Sequence, residues 1–428
     1  MSATTETTGA MRARALDSAD VLSQFRSQFY LIEKTVYMDG NSLGLLSRPA
    51  EAAVLRVLKE WGASGVGGWL EADPAWFSLA ESVAAKIGPL IGAAAGQTAV
   101  ANSTSVNLHQ LLATLFAPTT DRNVIVSDDL AFPTDIYAIK SHLRLRGLDP
   151  NCCLRRIPSR DGLTLDEDDI VSAMTDDVAM IILPSVLYAS GQLLNMDLLA
   201  RAARDKGILI GFDCSHSIGA LPHELDAWGV DFAFWCSYKY LNSGPGAIGG
   251  LYLNRRHFDS EPGLAGWFGN RKTTQFDMSH DFDPAPDAQR LHIGTPDILS
   301  LAALEGSLKV VHEAGIERIR RKSLELTDFL MTEADEHLTE FGVRIVNPRD
   351  PELRGGHVAL LHPEATRLCK ALKAARVVPD FRPPNIIRLA PIALYNTFAD
   401  CHKAIAKLKE ILATGAHLKF AAGRDLVA

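Results

Sequence analysis

The chain has 428 residues, 47% of them hydrophobic and 22% charged, with a formal net charge of -8 and a pI near 5.9. Its length exceeds what one hydrophobic core usually serves, so a large domain with a smaller companion is expected. The acidic balance gives no electrostatic footprint for nucleic acid, and no apolar run approaches the roughly 18 residues of a membrane span.

In chain order, Met1 to Ala10 lacks the basic and apolar regions of a secretory signal and reads as a loosely held arm of a cytoplasmic protein. Met11 to about Leu31 has helical character. Val36 to Met38 is a short apolar element entering the turn Asp39-Gly40-Asn41-Ser42-Leu43-Gly44, either a structural loop or a site loop. Glu51 to Trp61 is patterned as an amphipathic helix, and a glycine-rich patch from Gly62 to Trp69 follows it. These segments make up an N-terminal arm and helical region over residues 1–77.

Residues 78–304 change to short β-branched runs alternating with helical stretches. Val124 to Val126, Val178 to Leu183, Ile208 to Phe212, Asp231 to Trp235 and Ile248 to Leu253 are strand candidates, with helices at Val106 to Phe116 and Met196 to Lys206. Strands that are apolar on both faces and separated by helices predict an α/β domain with a mostly parallel sheet. Residues 305–428 then read as a charged helical connector from Glu305 to about Glu340, followed by a smaller α+β domain. Its strands are Gly342 to Val346, His357 to Leu361 and Ile386 to Leu389, and its helices Ala365 to Ala374 and Ala399 to Leu412. The cysteines Cys152, Cys153, Cys214, Cys236, Cys369 and Cys401 lack ligand spacing apart from one adjacent pair, and read as small buried hydrophobes in a reducing compartment.

Chemistry concentrates at two strand ends. Asp213 closes an apolar strand, and Lys239 follows another strand 26 residues later in Ser237-Tyr238-Lys239-Tyr240. Ligands of open α/β sheets gather at such carboxyl ends. A carboxylate and an amine delivered to one crevice suit pyridoxal phosphate, whose ring nitrogen needs an acidic partner and whose aldehyde takes up a lysine. The same residues also suit plainer roles, a snorkelling lysine and a helix cap. Ser103-Thr104-Ser105 just before a helical run suits a phosphate dianion as well as an ordinary cap. Phe132 and Asp135, in Phe132-Pro133-Thr134-Asp135, offer a stacking ring and a second carboxylate. Arg388 ends a buried strand, where a substrate carboxylate or a salt bridge would meet its fork.

The stretch from Gly229 to Asn242 resembles the kynureninases, fold type I enzymes of the PLP-dependent transferase class. So do Asp39 to Gly44, Val106-Asn107-Leu108-His109, Phe132 to Asp135, Gly266-Trp267-Phe268-Gly269, and Arg388-Leu389-Ala390-Pro391 with Leu394-Tyr395-Asn396. The resemblance implies a mostly parallel, seven-stranded sheet, a homodimer with sites at the subunit interface, and hydrolysis of L-kynurenine, or its 3-hydroxy form, to the anthranilate and L-alanine in tryptophan degradation. It implies Lys239 as the Schiff-base lysine and Asp213 as partner of the pyridine nitrogen. His216 becomes a further cofactor contact, Thr104 and Ser105 phosphate binders, and Tyr238 and Trp267 phosphate contacts across the pocket. Phe132 is then the stacking ring with Asp135 beside it, Thr295 a residue that helps hold cofactor or substrate from the neighbouring subunit, and Arg388 the substrate-carboxylate clamp. Tyr238 is the candidate to relay a proton, and aromatics near Trp69 are candidates for an aryl pocket. Pro184 stands where a family member has a serine beside the cofactor, with Ser185 as the neighbouring hydroxyl. The same scaffold leaves open a cysteine desulfurase, a class V aminotransferase or a cofactor-binding protein without turnover. A desulfurase would need a mobile catalytic cysteine, and no cysteine here sits in an obvious flexible loop.

Overall fold

A computed structural model describes residues 8–423, so the first part of the expected N-terminal arm lies outside the described residues. The larger sheet is seven-stranded. Its strands are β1 (Thr98–Val100), β2 (Val124–Asp128), β3 (Leu154–Ile157), β4 (Val178–Pro184), β5 (Leu209–Asp213), β6 (Phe232–Trp235) and β7 (Gly250–Leu253). They lie side by side in the order β1-β7-β6-β5-β4-β2-β3. Only β7 runs against its neighbours, pairing antiparallel with both β1 and β6.

Side-chain alternation explains why these central strands carry continuous apolar runs. Phe232 and Phe234 of β6 join one apolar cluster with Ile125, Met180 and Ile182, whereas Ala233 and Trp235 join another with Val126, Ile181 and Phe212. Successive residues point to opposite faces, and both faces are covered, so every position must be apolar. Parallel registration then places Pro184 beside Asp213, and Asp213 beside Phe234. The carboxyl ends of β4, β5 and β6 therefore open onto one edge.

The smaller sheet contains β8 (Arg344–Ile345), β9 (Val358–Leu361), β10 (Asp380–Arg382) and β11 (Ile386–Leu389), in the order β10-β11-β9-β8 and antiparallel throughout. It has its own apolar cluster, in which Val358, Leu360, Ile387 and Leu389 meet Phe329, Leu368, Phe398 and Ile405. The N-terminal helix Thr8–Ala19 packs on the helix Phe398–Thr414. Both Asp17 carboxylate oxygens accept from the first N–H groups of that helix, Phe398 at 2.7 Å and Ala399 at 3.0 Å, a cap reached from across the fold. Val36–Tyr37 pairs in parallel with Val377–Val378, and Asp39 bridges to Ala390. The turn that follows is thereby tied to the smaller sheet while facing the larger one.

The expected solvated connector is corrected. Two helices, Ile298–Ala314 and Ile316–Leu338, meet at Gly315, whose φ of 78° is open to glycine without strain. Much of both is buried, charged residues included. Glu305 accepts from Arg56 at 2.9 Å and Lys86 at 3.1 Å, and Lys322 pairs with Asp20 at 2.7 Å. Buried charges of this kind survive because each meets an opposite one. Cys152 is exposed, unlike the other cysteines, and all six are unpaired. No helix among the described residues is long and apolar enough to cross a membrane.

Candidate active site

The cavity at the strand ends, about 240 Å³, is lined by Thr104, Ser105, Phe132, Asp135, Asp213, His216, Tyr238 and Lys239, together with Ser42, Pro184, Tyr188 and Arg382. Asp213 is the last residue of β5, and one of its carboxylate oxygens accepts from Ser215 N–H at 2.8 Å. Lys239 lies four residues beyond β6, in a bend against which the turn holding Ser42 is docked. Gly44 N–H donates to the Tyr238 carbonyl at 2.8 Å, and a Cβ on Gly44 would come within 2.5 Å of the Lys239 carbonyl oxygen. Glycine is needed there for backbone to reach backbone.

The amine of Lys239 lies 3.0 Å from His216 Nε2. Burial, with Lys239 and Arg388 nearby, drives the His216 pKa well below its ordinary value, so this imidazole is neutral. Its other nitrogen is buried with no protein partner. Asp135 is buried in the first turn of the helix Pro133–Leu145, where Pro133 at the first helical position costs no hydrogen bond. Burial, and then the nearby carboxylates Asp213 and Asp128, raise the Asp135 pKa well above the usual range. Asp135 is thus a carboxyl able to donate a hydrogen bond. The phenol of Tyr238 is likewise held protonated, by burial first and then by Cys236.

The helix Thr104–Leu115 starts at the cavity, with Ser103 as its cap accepting from Val106 N–H. Its leading N–H groups have no partner within the helix, which leaves them for an anion. Gly249 packs so tightly against this start that a Cβ would lie 2.9 Å from Thr104 N. Phe132 stands on the cavity wall with its ring edge-on to Tyr188, centroids 5.4 Å apart.

Pyridoxal phosphate fits this set of groups. The free helix start suits its phosphate, Phe132 its ring face, Asp213 its ring nitrogen and Lys239 its aldehyde, while the unpaired His216 nitrogen offers one more polar contact.

Other expected positions fall elsewhere. Trp267 and Thr295 do not line this cavity. With Trp69, Phe77, Phe268 and Phe276 they line a second, apolar cavity of about 600 Å³. Trp267 follows Gly266, which is wedged against the backbone of Ile293, and this packing holds its ring at that second cavity beside Phe276, 5.5 Å away. Arg388 does not line the cavity either: its side chain is wholly buried and bound to Asp380. Ser185 supplies no hydroxyl to the cavity, because its Oγ bonds the Asp213 carbonyl at 2.9 Å and Ser217 at 2.7 Å. Arg382 and Tyr188 were missed in the sequence. An arginine just before Pro383-Pro384 looks like part of a surface loop, and only the pairing of β10 with β11 reveals its place.

Two family models match the chain: aminotransferase class-V over residues 69–363 and the kynureninase C-terminal domain over residues 319–408. The chain is 52% identical over 416 residues to a kynureninase of Geobacillus thermodenitrificans, covering 97% of each chain. It is 51% identical over 412 residues to one of Bacillus anthracis, covering 96% of each. Among solved structures, the cysteine desulfurase of Thermococcus onnurineus superposes with a TM-score of 0.78 at 20% identity, over 92% of this chain and 98% of that one. The cystine C-S lyase C-DES, in a form with glycine covalently linked to the PLP cofactor, has the same TM-score at 17% identity, over 90% of this chain and 99% of that one.

Proposed function

This chain belongs to the kynureninase family, and from that premise we propose that it hydrolyses the Cβ–Cγ bond of L-kynurenine, giving anthranilate and L-alanine with pyridoxal 5'-phosphate as cofactor. The observation that carries the reading within the structure is the meeting of Lys239, Asp213 and a helix start at one cavity. Pyridoxal phosphate, when bound, supplies a carbonyl that condenses with amines and a ring that takes up the electron pair released at the substrate's Cα.

The chain's own groups do the rest. Thr104 and Ser105 hold the phosphate through N–H and hydroxyl groups at the helix start. Asp213 keeps the ring nitrogen protonated, Phe132 covers a ring face, and Asp135 donates to an acceptor on the ring. Lys239 is the base that moves the proton at Cα, and the neutral His216 beside it accepts from its amine without competing as a second cation. Tyr238, protonated and at the cavity wall, delivers a proton as water adds to the γ-carbonyl and the bond to Cβ breaks.

The protein acts as a homodimer in this reading. Val66, Leu70 and Phe276 are largely exposed around the second cavity, an apolar patch suited to a second copy. Trp267 and Thr295 would then reach the partner's cofactor site. Six unpaired cysteines suit the cytoplasm, where thiols stay reduced. The test is purified protein supplied with pyridoxal phosphate and L-kynurenine. Release of fluorescent anthranilate with L-alanine and no added keto acid supports the hydrolase, whereas dependence on a keto acid identifies an aminotransferase.

A further inference from the structure

Away from the strand-end cavity, the helix Ile316–Leu338 carries Glu333, Glu336 and His337 at spacings that bring all three to one face of the helix. One ligand atom from each lies within 4.8 Å of the other two. The helix Phe398–Thr414 packs beside it and adds a fourth group. His402 Nδ1 lies 2.7 Å from Glu333 Oε2, and His337 Nε2 lies 4.0 Å from the same oxygen. Two carboxylates and two imidazoles thus converge from two helices. The N-terminal helix Thr8–Ala19 closes another side: a Cβ on Gly9 would fall 2.6 Å from Glu333 Oε1 and 2.9 Å from His402 Nδ1, so helix backbone rests directly on the pair.

Glu333 is the unusual member. Its side chain is 1% exposed, yet its ion-pair partners among the described residues are His337 and His402 alone. Glu305, buried on the preceding helix, is instead met by the permanent cations Arg56 and Lys86. A buried carboxylate needs a full opposite charge, and an imidazole at neutral pH supplies one only part of the time. A divalent cation supplies it throughout, and takes both imidazoles in the neutral form in which they ligate. The donor set also selects the metal. Imidazole nitrogen with carboxylate oxygen suits Zn2+ and its first-row neighbours, whereas Mg2+ and Ca2+ prefer oxygen donors. A tetrahedral ion with bonds of about 2.0–2.2 Å sets its ligand atoms roughly 3.3–3.6 Å apart. The separations of 2.7 and 4.0 Å bracket that spacing. The groups with room to adjust are Glu336, which is exposed, and His337, which is half-buried.

We propose that Glu333, Glu336, His337 and His402 form a binding site for Zn2+ or a closely similar transition-metal dication, separate from the cavity at Lys239. The two helices that supply the ligands belong to the smaller domain, and the N-terminal helix lies against both the carboxylate and His402. The ion is therefore a clamp on this helix packing and takes no part in the chemistry at the strand ends.

The experiment is equilibrium dialysis of the PLP-loaded, chelator-treated protein against ZnCl2, with thermal melts over the same concentrations. Wild type is compared with His337→Ala, His402→Ala and Cys152→Ser, the last because Cys152 is an exposed thiol that competes for the same ion. Wild type and Cys152→Ser are expected to bind one Zn2+ per chain, with Tm rising further as Zn2+ exceeds its Kd. Each histidine variant is expected to bind at least roughly 10-fold more weakly and to lose the rise in Tm at those concentrations, while excess MgCl2 leaves the bound Zn2+ in place. Zn2+ binding that persists in both histidine variants, that vanishes in Cys152→Ser or that MgCl2 competes away overturns the proposal, as does wild type that retains no Zn2+. Should His402→Ala fail to fold, His337→Ala, at a side chain 33% exposed, decides by the same ratio.

Discussion

A methyl group added at Gly249 tests the assignment of the phosphate site to the start of the helix Thr104–Leu115. In Gly249→Ala the new Cβ would stand 2.9 Å from both Thr104 N and Asn107 Nδ2, and 3.0 Å from the Ser103 carbonyl carbon. Gly249 cannot retreat easily, because its N–H donates to the Asn102 carbonyl at 2.8 Å and its carbonyl accepts from Ala101 N–H at 3.0 Å. The helix start must therefore give way by a few tenths of an ångström, and its leading N–H groups turn from the place where an anion sits. Losing one hydrogen bond to a charged group is worth about 1.5–3 kcal/mol, so the Kd for pyridoxal phosphate should rise roughly 10- to 150-fold. Titration of apoprotein with pyridoxal phosphate measures this, and pyridoxal, which has no phosphate, serves as the control. Affinity for pyridoxal phosphate within about twofold of wild type, or an equal loss for pyridoxal, refutes the assignment.

Asp128 closes β2, one carboxylate oxygen accepting from Leu130 N–H at 2.8 Å and the other buried without a partner. Burial pushes its pKa up from 3.8 to about 7. The folded state thus holds this proton more tightly than the unfolded state, and the associated stability fades as pH rises from about 4 through about 7. Asp128→Asn should accordingly raise Tm relative to wild type more at about pH 8 than at about pH 5, and an equal or reversed difference in thermal melts contradicts this. Glu305→Ala leaves Arg56 and Lys86 beside a vacated carboxylate site. Loss of a buried charge partner costs about 3–5 kcal/mol as an upper range, so a clear fall in Tm at neutral pH is expected, and an unchanged Tm argues against it. Trp267→Asp should shift sedimentation toward monomer and weaken cofactor binding together; a dimer of normal cofactor affinity would remove Trp267 from the proposed interface.

The parts of the site legible in sequence were those carried by strand ends. Asp213 and Lys239 each follow an apolar run, and the period of the sheet leaves little choice about where such residues emerge. Thr104 and Ser105 were visible for a similar reason, since hydroxyl residues ahead of a helical run mark its start. Strands β1, β3 and β10 were not found. Each is short, and the Arg155-Arg156 pair in β3 breaks the apolar pattern although β2 pairs beside it. The stretch from Glu305 onward looked solvated because charge is local information, whereas Asp20, Arg56 and Lys86, which make burial tolerable, come from distant segments. Arg388 drew attention for its buried strand, yet its partner Asp380 lay in an unrecognised strand. The place of Arg382 on the cavity wall therefore depends on a pairing no linear pattern displays.

The most direct test of Lys239 as the residue that serves Cβ–Cγ hydrolysis is a comparison of wild type and Lys239→Ala, each supplied with pyridoxal phosphate and L-kynurenine, with anthranilate and L-alanine both quantified. Wild type should release the two in equal amounts without a keto acid, and Lys239→Ala should lose at least roughly 100-fold of that rate, the scale of a missing general base. Wild-type protein that takes up the cofactor but yields no anthranilate, or a Lys239→Ala variant that yields it at the wild-type rate, would contradict it.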